Sequence, residues 1–497
     1  MTKLETEKKD LTKPQIAAML MRKLKSMGFK FNLVLADSLY GESGTNFISV
    51  LDEMNLNYIV AIRSNHSVEL LPRQHTQYCQ WYKNLFPDVR SFEAFKYLHV
   101  GCVSDLKRKT LPEIAKIVGL DNQQGLHHFL TKSPWDIEKL RTIRLELILQ
   151  VIKGRPIILI IDETGDRKKG KSTDYVKRQY IGNLGKIENG IVVVTAYGVF
   201  CGMSFPLLFE VYKPRERLKP EDKYLTKPQI AAMLMRKLKS MGFKFNLVLA
   251  DSLYGESGTN FISVLDEMNL NYIVAIRSNH SVELLPRQHT QYLEWQRFKR
   301  VFSDLSSENR YIREIVHGKR QEKRYWQTTT DIEKLPGNTT WYVMSKYPDI
   351  TPRDVGNFYG LRTWVEYGLK QSKNELGWAD YRLTHYADIE RWWEIVCSSY
   401  LMVSLHSEQM QSSPPKSPSK LASHPWWDDG KGWKNILNNL RLIIQPFTLF
   451  NLIFPWLTVF PIPQLSLGFS KLQSIIYNLT SSIFISLTHP DFYFSSA

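Results

Sequence analysis

Residues 156–162 read PIILIID and residues 245–251 read FNLVLAD. Each is an unbroken apolar run closed by an aspartate. An unbroken run, rather than an alternating one, predicts a strand covered on both faces. In open α/β sheets the reactive groups gather where strands end. Asp162 and Asp251 are therefore candidates to share one pocket. Taken singly, a strand-end aspartate is more often a turn residue or a helix cap.

Working outward, GIVVVTAYGVF (190–200) and 205–212 read as further strands, 228–241 as an amphipathic helix, 259–268 as a helix and 272–277 as a strand. Strands with helices between them predict an α/β core with some parallel pairing. Residues 295–347 return to short strands rich in basic and aromatic residues. A long helix is expected from near Pro352 past Lys373, and another over 389–404.

The first of these helices carries FYGLRTWVEYGLKQSK (358–373), which sets Tyr359, Arg362, Glu366 and Lys373 at separations of 3, 4 and 7. On one helix these fall within an arc of roughly 60°. A solvated charged face with an i,i+4 Arg–Glu pair has the same pattern. That simpler reading leaves the two strand-end aspartates without a partner.

These four residues fit Y-x2-R-x3-E-x6-K, and the chain here resembles a large group of bacterial insertion-sequence DDE transposases. IIDETGDRKKG around Asp162 and LVLADSLYGE around Asp251 are similar to that group's first and second aspartate motifs. The order strand–Asp, strand–Asp, helix–Glu is that of an RNase H-like catalytic core, and 295–347 resembles the β-rich insertion such enzymes carry between the second Asp and the Glu. The resemblance covers about 79–410. It implies cut-and-paste DNA transposition, with Asp162, Asp251 and Glu366 as catalytic metal ligands. Three carboxylates suit two Mg²⁺ (or Mn²⁺) ions, hard cations that retain water and activate one oxygen while stabilising another. The resemblance gives Tyr359, Arg362 and Lys373 to phosphates near the cut. Where relatives more often have a second Asp, this chain has Glu163; Glu163 and Asp166 are alternative ligands. Two other readings stay open: a catalytically dead remnant that only binds DNA, and a nuclease without strand transfer.

The bulk composition agrees. Lys and Arg number 65 against 49 Asp and Glu, a net charge of +16 over 497 residues. Such an excess points to a polyanion, most simply double-stranded DNA. The resemblance adds the element's terminal inverted repeats and a target, and a homodimer on DNA. Cys79, Cys102, Cys201 and Cys397 form no CxxC pair, which argues against a zinc ribbon or disulfide framework and fits a reducing bacterial cytoplasm, at the nucleoid. The N-terminus lacks the apolar core of a signal peptide.

Three flanking regions carry weaker signals. Residues 79–150 are helical in pattern, and 111–132 read as a helix-turn-helix with Lys107, Arg108 and Lys109 placed for phosphates. Within the insertion, Lys319, Arg320, Lys323, Arg324 and Trp326 combine charge with an aromatic ring, as a DNA-binding patch does. The resemblance suggests a tryptophan stacked on a flipped base, Trp326 or Trp341. Residues 409–425 read as a linker, and 426–497 as a Pro- and Trp-rich subdomain. Its uncharged run, 442–470, is broken by four prolines and is expected to pack irregularly rather than cross a membrane.

Finally, residues 11–78 recur without a change at 225–292, an offset of 214. The leader extends the match: Leu4, Glu7 and Lys9 correspond to Leu218, Glu221 and Lys223. Each copy encodes a fragment of an RNase H-like sheet. The second copy alone lies between Asp162 and Glu366, so Asp251 is the expected catalytic residue. Asp37 is its spare counterpart, and 1–78 a fused duplicate able to compete for the same place in the sheet.

Overall fold

The computed structural model describes residues 11–60, 78–407 and 424–483, apart from 32, 42, 55, 285, 303–305 and 431. The leader 1–10, most of the expected linker 409–425, and the end of the tail lie outside the described residues.

The first copy folds on itself. Thr12 and Gln15 form a capping box for the helix Lys13–Ser26, and β1 (Val34–Ala36) pairs in parallel with β2 (Tyr58–Val60). A small core of Ala18, Val34, Phe47, Val50, Leu51 and Met54 closes the unit.

A mixed eleven-stranded sheet forms the body of the protein. Its first strands are β3 (Ile157–Arg167), β4 (Lys177–Ile181), β5 (Lys186–Phe200) and β6 (Met203–Val211). The second copy supplies β7 (Phe245–Ala250) and β8 (Tyr272–Ile276). The later strands are β9 (Thr290–Tyr292), β10 (Gln296–Val301), β11 (Ser307–His317), β12 (Arg324–Thr329) and β13 (Trp341–Lys346). At the centre the order is β6–β5–β3–β7–β8, with β3–β7 and β7–β8 parallel and the others antiparallel. That is the RNase H-like core expected from the motif order. β13 pairs antiparallel with β8, so the insertion continues the same sheet.

Two apolar layers cover the sheet. The larger unites one sheet face with the helices Val89–Val103, Ile137–Ile152, Lys227–Ser240 and Tyr386–Leu405. The helical region 79–150 therefore shares the core of the sheet. Arg144 is fully buried there, donating to Glu394 at 2.5 Å and to the carbonyls of Pro206 and Leu207. The other layer holds Ile160, Leu247, Leu249, Trp326, Val343, Tyr359 and Val365.

Three elements differ from expectation. The helix expected from Pro352 past Lys373 is two, Pro352–Gly360 and Thr363–Asn374. Between them the backbone tightens to i→i−3 bonds, Leu361 N to Phe358 O and Arg362 N to Tyr359 O. The helix expected at 259–268 opens as a π-turn, Gly258–Ile262. The C-terminal region is helical, not irregular: Trp433–Val459 accommodates Pro446 and Pro455, and Pro463–Ile483 follows. Its first half is anchored in the core by Ile436, Leu440, Ile443 and Phe447, which offsets the lost backbone bonds. By length and apolarity Trp433–Val459 is the one described helix that could cross a membrane.

Candidate active site

The β3–β7 register ends with Ile161 opposite Ala250. Asp162 and Asp251 are the next residues on two adjacent parallel strands. β3 does not stop there, as the sequence suggested. It continues to Arg167 because the long β5 pairs with it throughout, Asp162 lying opposite Thr195. Asp162 is thus held by backbone on one side and free on the β7 side. After Asp251 the chain turns at once, and Asp251 caps the turn by accepting from Leu253 N at 2.9 Å. Gly255 permits the turn to lie on β8, since a Cβ there would come within 1.9 Å of Ala275 O.

The helix Thr363–Asn374 brings up the third carboxylate. Gly368 lets it approach β5, a Cβ there standing 2.8 Å from the Tyr197 ring. Arg362 then bridges the site: Nη1 donates to Asp162 Oδ2 at 3.2 Å and Nη2 to Glu366 Oε1 at 2.6 Å. Lys373 donates to Gly165 O at 2.6 Å and pairs with Asp166 at 3.2 Å, bracing the helix against β3. Tyr359, on the preceding helix, is buried, and its hydroxyl is raised by burial.

Electrostatics mark the cluster. Burial, with the charges of Asp251 and Glu366, pushes the Asp162 carboxyl up to about 7 against the opposing pull of Arg362. Burial also raises Asp251 and Glu163. Carboxylates crowded in a partly dry site are a recurrent mark of function. Among the described residues no three ligating side chains already converge on one point. Arg362 is the cation between Asp162 and Glu366.

Two neighbours escaped the sequence reading. Lys227 pairs with Glu163 at 2.8 Å and slightly offsets the burial that raises the Asp251 carboxyl. A lysine in the first turn of a helix opposes the macrodipole, which was the available signal. Tyr254 is buried, and its hydroxyl, raised by burial and by Glu163, Asp251 and Asp162, makes no hydrogen bond among the described residues. Nothing in the sequence announced it.

Several expected DNA contacts sit elsewhere. Lys107 and Arg108 are exposed. Lys109 is a correction: only 2% exposed, its Nζ donates to the carbonyls of Ser104 and Leu106 and so fixes a turn. Helices do form at Leu111–Ile117 and Gln124–Thr131, with Gly119 in the left-handed region between them and Asn122 accepting from Gln124 N. Trp326 is a second correction. It is fully buried and donates to Ser345 Oγ at 2.8 Å, because its side of β12 faces the core. Arg324 is bound through two nitrogens to Glu314, Arg320 joins the same carboxylate, and Lys323 pairs with Asp266, while Lys319 is exposed. Trp341 instead borders an open cleft of about 360 Å³ with Ser252, Ser278 and Tyr359, beside Asp251. Arg310 stacks on it at 3.9 Å.

Comparison with known proteins shows the family. A family model described as DDE superfamily endonuclease matches residues 4–79 and 84–301, more than half of the chain. A probable transposase for insertion sequence element IS701, from Microchaete diplosiphon, is 86% identical over 314 residues, covering 63% of this chain and 83% of that protein. The chain belongs to the DDE superfamily of endonucleases, among its insertion-sequence transposases.

Proposed function

We propose that the protein cuts DNA at the ends of an insertion sequence and joins the freed 3′-OH to a target, with Asp162, Asp251 and Glu366 as its catalytic carboxylates. The observation that carries this is the placement of Asp162 and Asp251 on adjacent parallel strands, with Glu366 tied to Asp162 through Arg362. The same spacing of Tyr359, Arg362, Glu366 and Lys373 supports membership of the Y-x2-R-x3-E-x6-K group.

DDE endonucleases work with divalent metal, and this donor set suits a hard cation. Burial, with the charges of Asp251 and Glu366, raises the Asp162 carboxyl to about 7, so a cation there would relieve it. We assign Asp162, Asp251 and Glu366 as the residues that would hold two Mg²⁺ or Mn²⁺ ions. When bound, such a pair activates the attacking oxygen and stabilises the leaving 3′ oxygen. The remaining work falls to the chain. Arg362 exchanges its carboxylate partners for a substrate phosphate, to which its planar fork is suited. Lys373 holds the helix of Glu366 against β3. Lys227 pairs with Glu163 and opposes the burial that raises its carboxyl. Trp341, not Trp326, offers a ring at the cleft for an unpaired base.

The net charge of +16 and the exposed Lys107, Arg108 and Lys319 support binding of double-stranded DNA, the terminal inverted repeats and the target. We place the working complex, a homodimer on DNA, at the bacterial nucleoid. A supercoiled plasmid carrying the element's ends tests the reading with Mg²⁺ present. Strand-transfer product is the expected outcome. Cuts without joining would make this a nuclease, and binding without cuts an inactive remnant.

A further inference from the structure

The two identical segments fold alike but are covered differently. β1–β2 repeats the β7–β8 register residue for residue. The Arg22–Glu53 pair repeats Arg236–Glu267, and Asp37 accepts from Leu39 N as Asp251 does from Leu253 N. Burial is where they part. Leu35 is 70% exposed while Leu249 is fully buried, and Phe29 is 55% exposed against 2% for Phe243. Ile16, Leu20 and Leu33 are likewise exposed where Ile230, Leu234 and Leu247 are buried. Every one of these side chains in the second copy packs into the two layers of the main sheet. The first copy thus presents, uncovered, the surface that fits between β3 and β13.

We propose that the first copy exchanges with the second for this slot within one chain, placing Asp37 beside Asp162. The occupant follows from identity: any contact that residues 225–274 make in the slot, residues 11–60 can make. Beyond the folded part of the first copy, 11–60, the next buried anchor among the described residues is Tyr78, the copy's last residue, whose hydroxyl bonds to Ser398 O at 2.8 Å. The intervening 17 residues, 61–77, span up to roughly 56 Å when extended. A tether of that length favours the intramolecular event over pairing between chains. Order of synthesis favours it too, because the first copy is complete before β3 exists. Lys13 would then stand where Lys227 pairs with Glu163. A catalytic role for Asp37 rests on the function proposed above; the exchange itself does not.

Thiol labelling of the full-length protein tests the exchange. Leu35→Cys and Leu249→Cys are made separately and their labelling followed by peptide mass spectrometry. Without exchange, Cys at 35 labels wholly fast and Cys at 249 is wholly protected; that result overturns the proposal. With exchange, part of the thiol at 35 is protected and part of that at 249 is open. The open part at 249 should be the larger, since shortening Leu249 weakens the second copy's hold. Both fractions should be unchanged on dilution; fractions that follow protein concentration would overturn exchange within one chain. Plasmid cleavage reads the catalytic consequence separately. Asp251→Asn should retain a remnant of activity that Asp37→Asn/Asp251→Asn lacks. Labelling that shows exchange while Asp251→Asn is already inactive would leave the exchange standing and remove Asp37 from catalysis.

Discussion

Arg362 donates a 3.2 Å hydrogen bond to Asp162 and a 2.6 Å bond to Glu366. One guanidinium therefore holds together two carboxylates that lie 204 positions apart in the sequence. A positive charge offsets their repulsion at this point, which a divalent metal would also do on the function proposed above. The sign of the pH effect follows. Asp162 is raised from its ordinary range to about 7, so without metal its contribution to stability is present at low pH and lost as pH rises through 7. Metal binding must release that proton. Mg²⁺ should accordingly raise the melting temperature little near about pH 5.5 and fully above about pH 7, with about 2.7 kcal/mol gained at a hundred times Kd. A thermal-shift titration at several pH values measures this. A shift independent of pH would place the metal elsewhere.

Asp162→Asn and Glu366→Gln should each lower plasmid cleavage by at least about a hundredfold, since a metal's stabilisation of the transition state is worth several kcal/mol. DNA affinity should change little. Asp162→Asn should also melt no lower than the unaltered protein above about pH 7, because it removes a charge the fold holds at a cost. Cleavage at the original rate by either variant would discard the assignment.

Trp326 and Trp341 should separate cleanly. Trp341 is half-buried against the second apolar layer; Trp341→Ala should cost less stability than Trp326→Ala and should weaken binding to element ends by about 1–3 kcal/mol, the value of one stacked base. Trp326→Ala removes a fully buried indole and its bond to Ser345. It should cost about 3–5 kcal/mol of stability, read by denaturant unfolding. The reverse pattern would return the stacking role to Trp326.

That pair also shows what a sequence can reveal. Asp162 and Asp251 were legible because an apolar run ending in a carboxylate is a local pattern, and the register of Ile161 with Ala250 then places them side by side. Glu366 was legible as part of a spacing. Trp326 was not, because which side of β12 faces the core is decided by distant pairings, β11 on one edge and β13 on the other. Lys109 looked like part of a basic run, yet the turn it occupies needed a buried donor for two carbonyls. The break at Leu361–Arg362 follows Gly360, a residue that weakens a helix wherever it stands and so did not by itself mark a break in a helix expected to run on. It arises where Gly360 packs against Arg300, a contact brought by β10.

His99 offers a test of the helical region that is independent of catalysis. Its ring lies 4.5 Å from that of Phe95 and 5.7 Å from that of Tyr78, and burial lowers its pKa to about 3. The unfolded chain takes up a proton near the ordinary histidine value of 6.5, which the folded chain refuses until about 3. Between those values the unfolded state binds more protons, so stability falls as the pH falls. The slope is at most about 1.4 kcal/mol per pH unit. His99→Leu keeps the volume close and removes the titration. Its melting temperature should therefore decline less than that of the unaltered protein between pH 6.5 and 4.5 or so, while the two differ little in slope above pH 7. Acidic groups elsewhere contribute equally to both proteins and cancel in the comparison. Parallel curves across the acid range would mean that His99 gains its proton inside the folded protein, and that the helical region opens to water where the structure shows it closed.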